Sequence, residues 1–389
     1  GHHPMPGSLH ISAVRLEARA DAARVTARVG DADVWFESSD VALRPAMEAF
    51  VAPFLLPSVA EGRRLTTATA VAADFAAGFA GVLDIAARWW NYPQLLPQVD
   101  TYAVDSAPQR GWRNALCFSG GVDSFHTLLA SNRPVDDLVF LHGFDVPLHD
   151  TARADACERE MREIARLTGT RAVVVRTNLR AHAAFRAAPW ERTHGGALAA
   201  VGHVLPSDVG RLFISASYPR ARWRPWGSHG ERVPCLSGAG LAIEHIGAEV
   251  DRVAKLRALR DAPLARKYLR VCWENLSPQL NCSRCEKCIR TQVVLAALGV
   301  LDRFATFEPA GTLSSRIDAV ARIRDPLIFQ RYEDALALGM PPAVAAAVRR
   351  LLARSRRAIW YDRIRHARAL AAGAGRRLLR VRRSMRMRA

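Results

Sequence analysis

The chain has 389 residues, half of them hydrophobic, which is enough for two domains or for one large core with an appended module. It has seven cysteines, an odd count, with four of them between residues 272 and 288; this argues against a secreted disulfide scaffold, and no run of 18 uncharged apolar residues offers a membrane span. Of the net charge of +18, residues 349–389 supply +14 (fifteen Arg against the single acid Asp362), and the other 348 residues, with 40 basic and 36 acidic groups, are nearly balanced.

The opening GHHPMPGS reads as an expression remnant with no secretory pattern after it, so a reducing cytoplasm is the expected setting. Residues 9–48 alternate in the manner of strands, with a turn at Gly30–Asp31. A helix is expected from Pro45 through Phe50, then a loop at LPSVAEGR, then helical composition over 68–90. Residues 9–110 read as an α+β accessory domain, a scaffold or partner-binding surface without catalytic residues.

From residue 115 the rhythm changes. Strands at ALCF, DDLVFLHG, RAVVVR and RLFISAS are separated by helices at 122–130, 151–168 and 195–205. Cys157, Met161, Ile164 and Leu167 share one face of the second helix. This order specifies an α/β fold: a parallel sheet with helices on both faces. An irregular stretch, 218–240, leads to a helical region and the cysteines, which close a domain over 111–300. Residues 301–389 read as helical, with breaks at 309–311, 326 and 339–342, and end in the Arg-rich tail.

LCFSGGVDSF, residues 116–125, carries the chemistry. It sits at the carboxyl end of the first strand of the parallel series, where open parallel sheets bind ligands. Gly120 and Gly121 permit a tight turn and close backbone approach. Amides of the turn and of the helix start then converge on an anion, and the hydroxyls of Ser119 and Ser124 can donate to phosphate. Asp123 would repel phosphate, so it implies either a divalent cation such as Mg2+ or a helix-anchoring role. The pattern is neither a Walker loop nor the dinucleotide G-x-G-x-x-G.

SGGVDS resembles the signature of the PP-loop ATP pyrophosphatase superfamily, whose members cleave ATP between its α and β phosphates. The resemblance implies that Ser119, Gly120, Gly121, Val122, Asp123 and Ser124 hold the pyrophosphate end of ATP. It places adenine against residues 140–142, with Phe140, His142, Gly143 and Phe144 lining the nucleotide. Arg176 would neutralise phosphate, and Asp145 would approach ribose or metal.

Cys272 is followed by C-x-x-C-x-x-C at Cys282, Cys285 and Cys288, a set that suits tetrahedral Zn2+, with an iron–sulfur cluster as the alternative. Cys117 and Cys157 read as core residues and Cys235 as a loop thiol. The glycine loop followed by this cluster is similar to the 7-cyano-7-deazaguanine synthase family over about residues 115–300. The resemblance implies a structural zinc, ATP-driven adenylation of a 7-deazaguanine carboxylate, and formation of an amide or nitrile with ammonia. Arg290 occupies the place of the Arg that follows the family's last C-x-x-C. The extra residues at both ends and the 218–240 segment depart from the family. Enlarged relatives from bacterial antiphage clusters imply a partner-protein amine as acceptor instead.

Candidates beside the second substrate are His194, as a catalytic residue, and Arg222, Trp223, Trp226 and His229, with a tryptophan stacking on a bicyclic base. The Arg-rich tail suits nucleic acid, an anionic surface or an acidic protein. A tRNA-thiolating enzyme with the same loop, and a nucleotide-binding scaffold without turnover, are the competing functions.

Overall fold

Short apolar strands that alternate with amphipathic helices bury both faces of a sheet, and the residues after 112 do this. The computed structural model describes residues 7–365, apart from 104, 106–108, 359, 362 and 363. The chain forms two compact units, one ending at Trp273 and one beginning at Glu274.

The first unit starts with β1 (Ser8–Ile11), β2 (Arg15–Ala18), β3 (Ala23–Val29) and β4 (Ala32–Ser38). β3 and β4 pair antiparallel about the expected turn, and Ala23 lies opposite Ser38. α1 (Glu48–Ala60) follows, then β5 (Arg64–Thr67), β6 (Val71–Ala72), α2 (Ala73–Ala77), α3 (Phe79–Trp90) and β7 (Thr101–Tyr102). The helix expected to stop at Phe50 therefore runs on through LPSVA, despite Pro53 and Pro57 inside it. Every residue from Glu48 to Val59 is buried. Burial on all sides outweighs the backbone hydrogen bonds that the prolines remove.

Next come β8 (Arg113–Cys117), α4 (Val122–Leu129), β9 (Asp137–His142), α5 (Thr151–Thr168), β10 (Arg171–Thr177), α6 (Trp190–Val204) and β11 (Val209–Ser215). β12 (Ala242–Ile246), α7 (Arg252–Leu259) and α8 (Pro263–Tyr268) complete the unit. The main sheet runs β12-β11-β8-β9-β10-β4-β3-β1-β5, with β2 on the side of β3. β8 to β12 pair parallel with one another, and β4 joins β10 antiparallel. The expected α/β fold is present, with a mixed sheet flanked by helices.

Ala115, Val139, Val173, Val175, Leu212 and Ile214 point into the core shared with α1, α3 and α6. On the other face α5 packs on β9 and β10, and α4 on β8 and β11. Cys157, Met161 and Ile164 of α5 are buried as expected, but Leu167 is 51% exposed on the last turn. This layering of helices on a central sheet is that of the generic nucleotide-binding α/β folds.

The second unit is helical, with α9 (Glu286–Ala297), α10 (Leu313–Ala319), α11 (Pro326–Ala337) and a helix over 342–358. Asp325 caps α11 by accepting from the backbone N–H of Leu327 at 2.8 Å, just ahead of the expected break at Pro326. Among the described arginines of the basic stretch, Arg350 pairs with Asp318 and Arg356 with Glu333, each at 2.6 Å. Arg354 donates to the carbonyl of Ile317 at 2.8 Å. Apart from residues 360, 361, 364 and 365, the tail from 359 onward lies outside the described residues, and the expected anionic or acidic partner with it. No described helix is long and apolar enough to cross a membrane.

Candidate nucleotide site and cysteine centre

The strand order reverses at β8: β9 and β10 lie on one side of it, β11 and β12 on the other. Loops leaving the carboxyl ends of strands diverge at such a point and open a crevice. Residues 118–121 leave β8 there and enter α4 at once. Gly120 has φ +73°, the left-handed region that a side chain would disfavour. Gly121 caps α4 in extended conformation, so the first N–H groups of the helix lie beside the loop.

Ser119 is exposed, and its Oγ lies 3.3 Å from the Gly121 nitrogen. Ser124 is buried and donates its hydroxyl to the Gly121 carbonyl at 3.1 Å, which braces the turn from within. Thr127 Oγ1 and Ser215 Oγ, 2.8 Å apart, tie α4 to the end of β11.

Asp123 accepts from Lys255 Nζ at 3.0 Å and from Arg252 Nη2 at 3.2 Å. Lys255 is 2% exposed and also donates to the Ala216 carbonyl just after β11, at 2.7 Å. Asp251 starts α7 by accepting from the Ala254 N–H at 2.8 Å, which sets Arg252 and Lys255 one turn apart on the side facing α4. Asp123 thus gathers two cations beside the loop. Sequence reasoning missed both cations. Their signal was a basic pair in the first turn of a capped helix that follows a strand, and the short AIEHI run of β12 hides that strand.

His126, on α4, is 5% exposed, and its Nδ1 has no hydrogen-bond partner. Burial, followed by the nearby charge of Lys255, lowers its pKa. His245, near the end of β12, is pushed down to about 4 by burial and then by His229 and Lys255. Both rings are neutral near pH 7.

The other expected nucleotide contacts are placed as follows. Phe140 is buried in β9. His142 Nε2 lies 3.1 Å from the Pro147 carbonyl, and Gly143 donates its N–H to the Val146 carbonyl at 2.9 Å. Arg176 stands opposite Glu37 of β4 and pairs with it at 3.4 Å. Asp145 acts electrostatically on Arg180 and His194.

His194, in the second turn of α6, has Nδ1 3.0 Å from the Trp190 carbonyl and Nε2 3.0 Å from Ser228 Oγ. Burial pushes its pKa down to about 4. Around it stand Trp190 and Trp226, with Tyr218 against Trp226. Trp223 stacks obliquely on His229 at 4.4 Å and lies 6.1 Å from His245, next to the Lys255 cluster. Arg220 lies over Trp223 and Arg224 over Trp226, while neither indole N–H finds a partner. Arg222 forms a short 3-10 turn just before Trp223. The irregular stretch thus folds into an aromatic and cationic wall, to which α3 adds Trp89 against His229.

The sulfurs of Cys272, Cys282, Cys285 and Cys288 lie within 4.8 Å of one another, and all four residues are buried. Cys282 and Cys288 are 3.9 Å apart at sulfur. A single tetrahedral ion with Zn–S bonds of about 2.3 Å places its sulfurs about 3.8 Å apart. A cubane cluster gives each thiolate its own iron and spreads them further. The donor set therefore suits one soft ion such as Zn2+. Cys285 donates its N–H to Cys282 Sγ at 3.2 Å and caps α9, where the helix terminus favours a thiolate.

Gln292 holds this loop by donating to the carbonyls of Ser283 and Cys288, each at 3.1 Å. Arg316 holds Gln292 in turn, at 2.6 Å. Arg290 is buried and lies 3.6 Å from Glu286 one turn earlier. Cys157 is buried, burial pushes Cys117 up to about 12, and Cys235 donates to the Glu231 carbonyl at 3.3 Å.

Comparison with protein-family models, with curated proteins and with solved structures finds no match for this chain.

Proposed function

We propose that this chain is an ATP-dependent enzyme that adenylates a carboxylic acid of the 7-deazaguanine class and passes the acyl group to an amine, giving an amide; with ammonia as acceptor, a second ATP-driven activation of the amide oxygen would remove it as water and give the nitrile. The observation that carries this reading is the SGGVDS loop at the switch point of the sheet, with Lys255 and Arg252 gathered on Asp123. The cysteine centre and the aromatic wall add to it, because together they resemble the acid-activating branch of PP-loop enzymes.

In this reading the pyrophosphate end of ATP lies on the backbone amides of Gly121 and the first turn of α4. The substrate carboxylate attacks the α phosphorus, the bond to the β phosphate breaks, and pyrophosphate leaves. Arg252 and Lys255 offset the charge that builds on the leaving group. Magnesium, when bound with ATP, would add Lewis-acid polarisation of the phosphates. Asp123 acts by holding both cations at the loop mouth. A neutral amine then attacks the acyl carbon, the bond to AMP breaks, and the nitrogen loses its proton. Trp223 and Trp226 offer planes for a bicyclic base, with Arg220 over one ring and Arg224 over the other.

The acceptor is ammonia or the amine of a partner protein. A tRNA-thiolating role needs an accessible sulfur, and the four gathered cysteines suit a metal better than sulfur transfer. The test is to incubate the protein with ATP, Mg2+ and 7-carboxy-7-deazaguanine, with and without ammonia. Mass spectrometry then looks for AMP and an amide or nitrile. AMP formed only in the presence of the acid supports the proposal, and its absence with every acceptor sinks it.

A further inference from the structure

The carbonyl of Gly120 accepts the backbone N–H of Arg270 at 2.8 Å. A trans peptide is planar, so the C=O of Gly120 and the N–H of Gly121 point in opposite directions. Holding the carbonyl on Arg270 therefore turns the Gly121 N–H away from it, toward the side where Ser119 Oγ lies. A peptide between two glycines meets little steric resistance to turning over. Turned over, it would offer an anion its carbonyl oxygen and withdraw its N–H. The Arg270 hydrogen bond therefore selects the anion-binding orientation of the loop.

Arg270 belongs to a packed segment. Leu269, Arg270, Val271 and Cys272 are all buried, and the Arg270 charge acts on Cys157 and Glu160 of α5. Cys272, two residues after the hydrogen bond, is one of the four gathered thiols. A metal ligand at 272 restricts the backbone at 270, and the backbone at 270 sets the direction of the Gly120–Gly121 peptide.

We infer that the metal held by the four cysteines controls anion binding in the glycine loop through the Arg270 backbone N–H, although neither the metal nor its ligands need touch the nucleotide. This rests on the ATP reading above. Arg270 is a positioning residue, and it acts through its main chain. Coupling between two binding sites is reciprocal, so nucleotide must strengthen retention of the metal by the factor by which metal strengthens nucleotide binding.

The experiment uses the full chain, zinc-loaded and zinc-stripped, with α,β-methylene-ATP as probe. Binding is measured by calorimetry, and zinc release to a chromogenic chelator is timed with and without the probe. Arg270→Ala keeps the N–H, whereas Arg270→Pro removes it. Leu269 already has ψ 118°, the region that a residue before proline prefers.

Stripping zinc should weaken probe binding about tenfold in the parent and in Arg270→Ala, within the usual range of site-to-site coupling. Arg270→Pro should bind weakly in both states, while still holding one zinc per chain. The probe should slow zinc release from the parent, and from Arg270→Pro hardly at all. Equal probe affinity with and without zinc overturns the coupling and leaves the ATP reading standing. Arg270→Ala behaving like Arg270→Pro overturns the backbone role. No probe binding to the zinc-loaded parent overturns this inference and the ATP reading together. Should the stripped chain unfold, zinc release from the loaded protein decides: release indifferent to the probe overturns the proposal.

Discussion

Lys255 carries two duties. It is almost fully buried, neutralises Asp123 and holds the end of β11. Removing one member of a buried ion pair costs up to about 3–5 kcal/mol, and here Arg252 stays on Asp123 and softens the loss. Lys255→Met should therefore lower the denaturation midpoint and cut acid-dependent pyrophosphate release about a hundredfold, the scale of losing one charge-stabilising donor. The double variant Lys255→Met/Asp123→Asn should recover neither stability nor pyrophosphate release, because it takes the carboxylate from Arg252 as well. Recovery of both would show that the pair only props the fold.

The buried histidines predict a response to acid. Burial pushes His194 and His245 down to about 4 and His203 to about 3, from an ordinary value of 6.5. Between these values the unfolded chain binds protons that the folded chain refuses, so stability is full above about pH 6.5 and falls as pH drops toward 4. His203 Nε2 lies 2.9 Å from the Leu236 carbonyl, and its Nδ1 has no partner. Thermal melts between about pH 7.5 and 4.5 should show this slope, and His203→Gln should flatten it. The cysteine ligands were legible in the sequence because their spacing is local. Lys255 was not, because it meets Asp123 only through the order of the strands.

At the scale of elements, α1 and α6 pack with their backbones close together. A Cβ on Gly196 would lie 2.6 Å from the Ala52 carbonyl oxygen, and neither helix backbone can yield cheaply. Gly196→Ala should lower stability to urea by about 1–3 kcal/mol, with no change in the zinc content of the protein that remains folded. Gly196 thus serves helix packing, while Gly195 beside it makes room for the loop carbonyl of Gly227. Alternating strands and helices were readable after residue 111, because strand period and helix period differ clearly there. Two elements were not. α1 carries prolines that argue against a helix, and only its complete burial overrides them. β12 follows a loop held by tryptophans and arginines, and its short AIEHI run gives little periodic signal. The antiparallel pairing of β4 with β10 is also silent in sequence, since alternation marks a strand without naming its neighbour.

Across the whole molecule, the charge of the tail and the chemistry of the body are separate matters: the body is nearly neutral and places two cations, Arg252 and Lys255, beside the glycine loop. The cysteine centre should bind one zinc per chain, and Cys285→Ser should reduce this below stoichiometry in elemental analysis. The fold presents a glycine loop at the switch point of the sheet, a cationic pair and an aromatic wall on one unit, and the central claim is that they activate a carboxylate with ATP. The most direct measurement is exchange of labelled pyrophosphate into ATP in the presence of 7-carboxy-7-deazaguanine, without any acceptor amine. The account predicts exchange that requires the acid and that Lys255→Met cuts about a hundredfold. Exchange independent of the acid, or none at any acid concentration while ATP still binds, would contradict it.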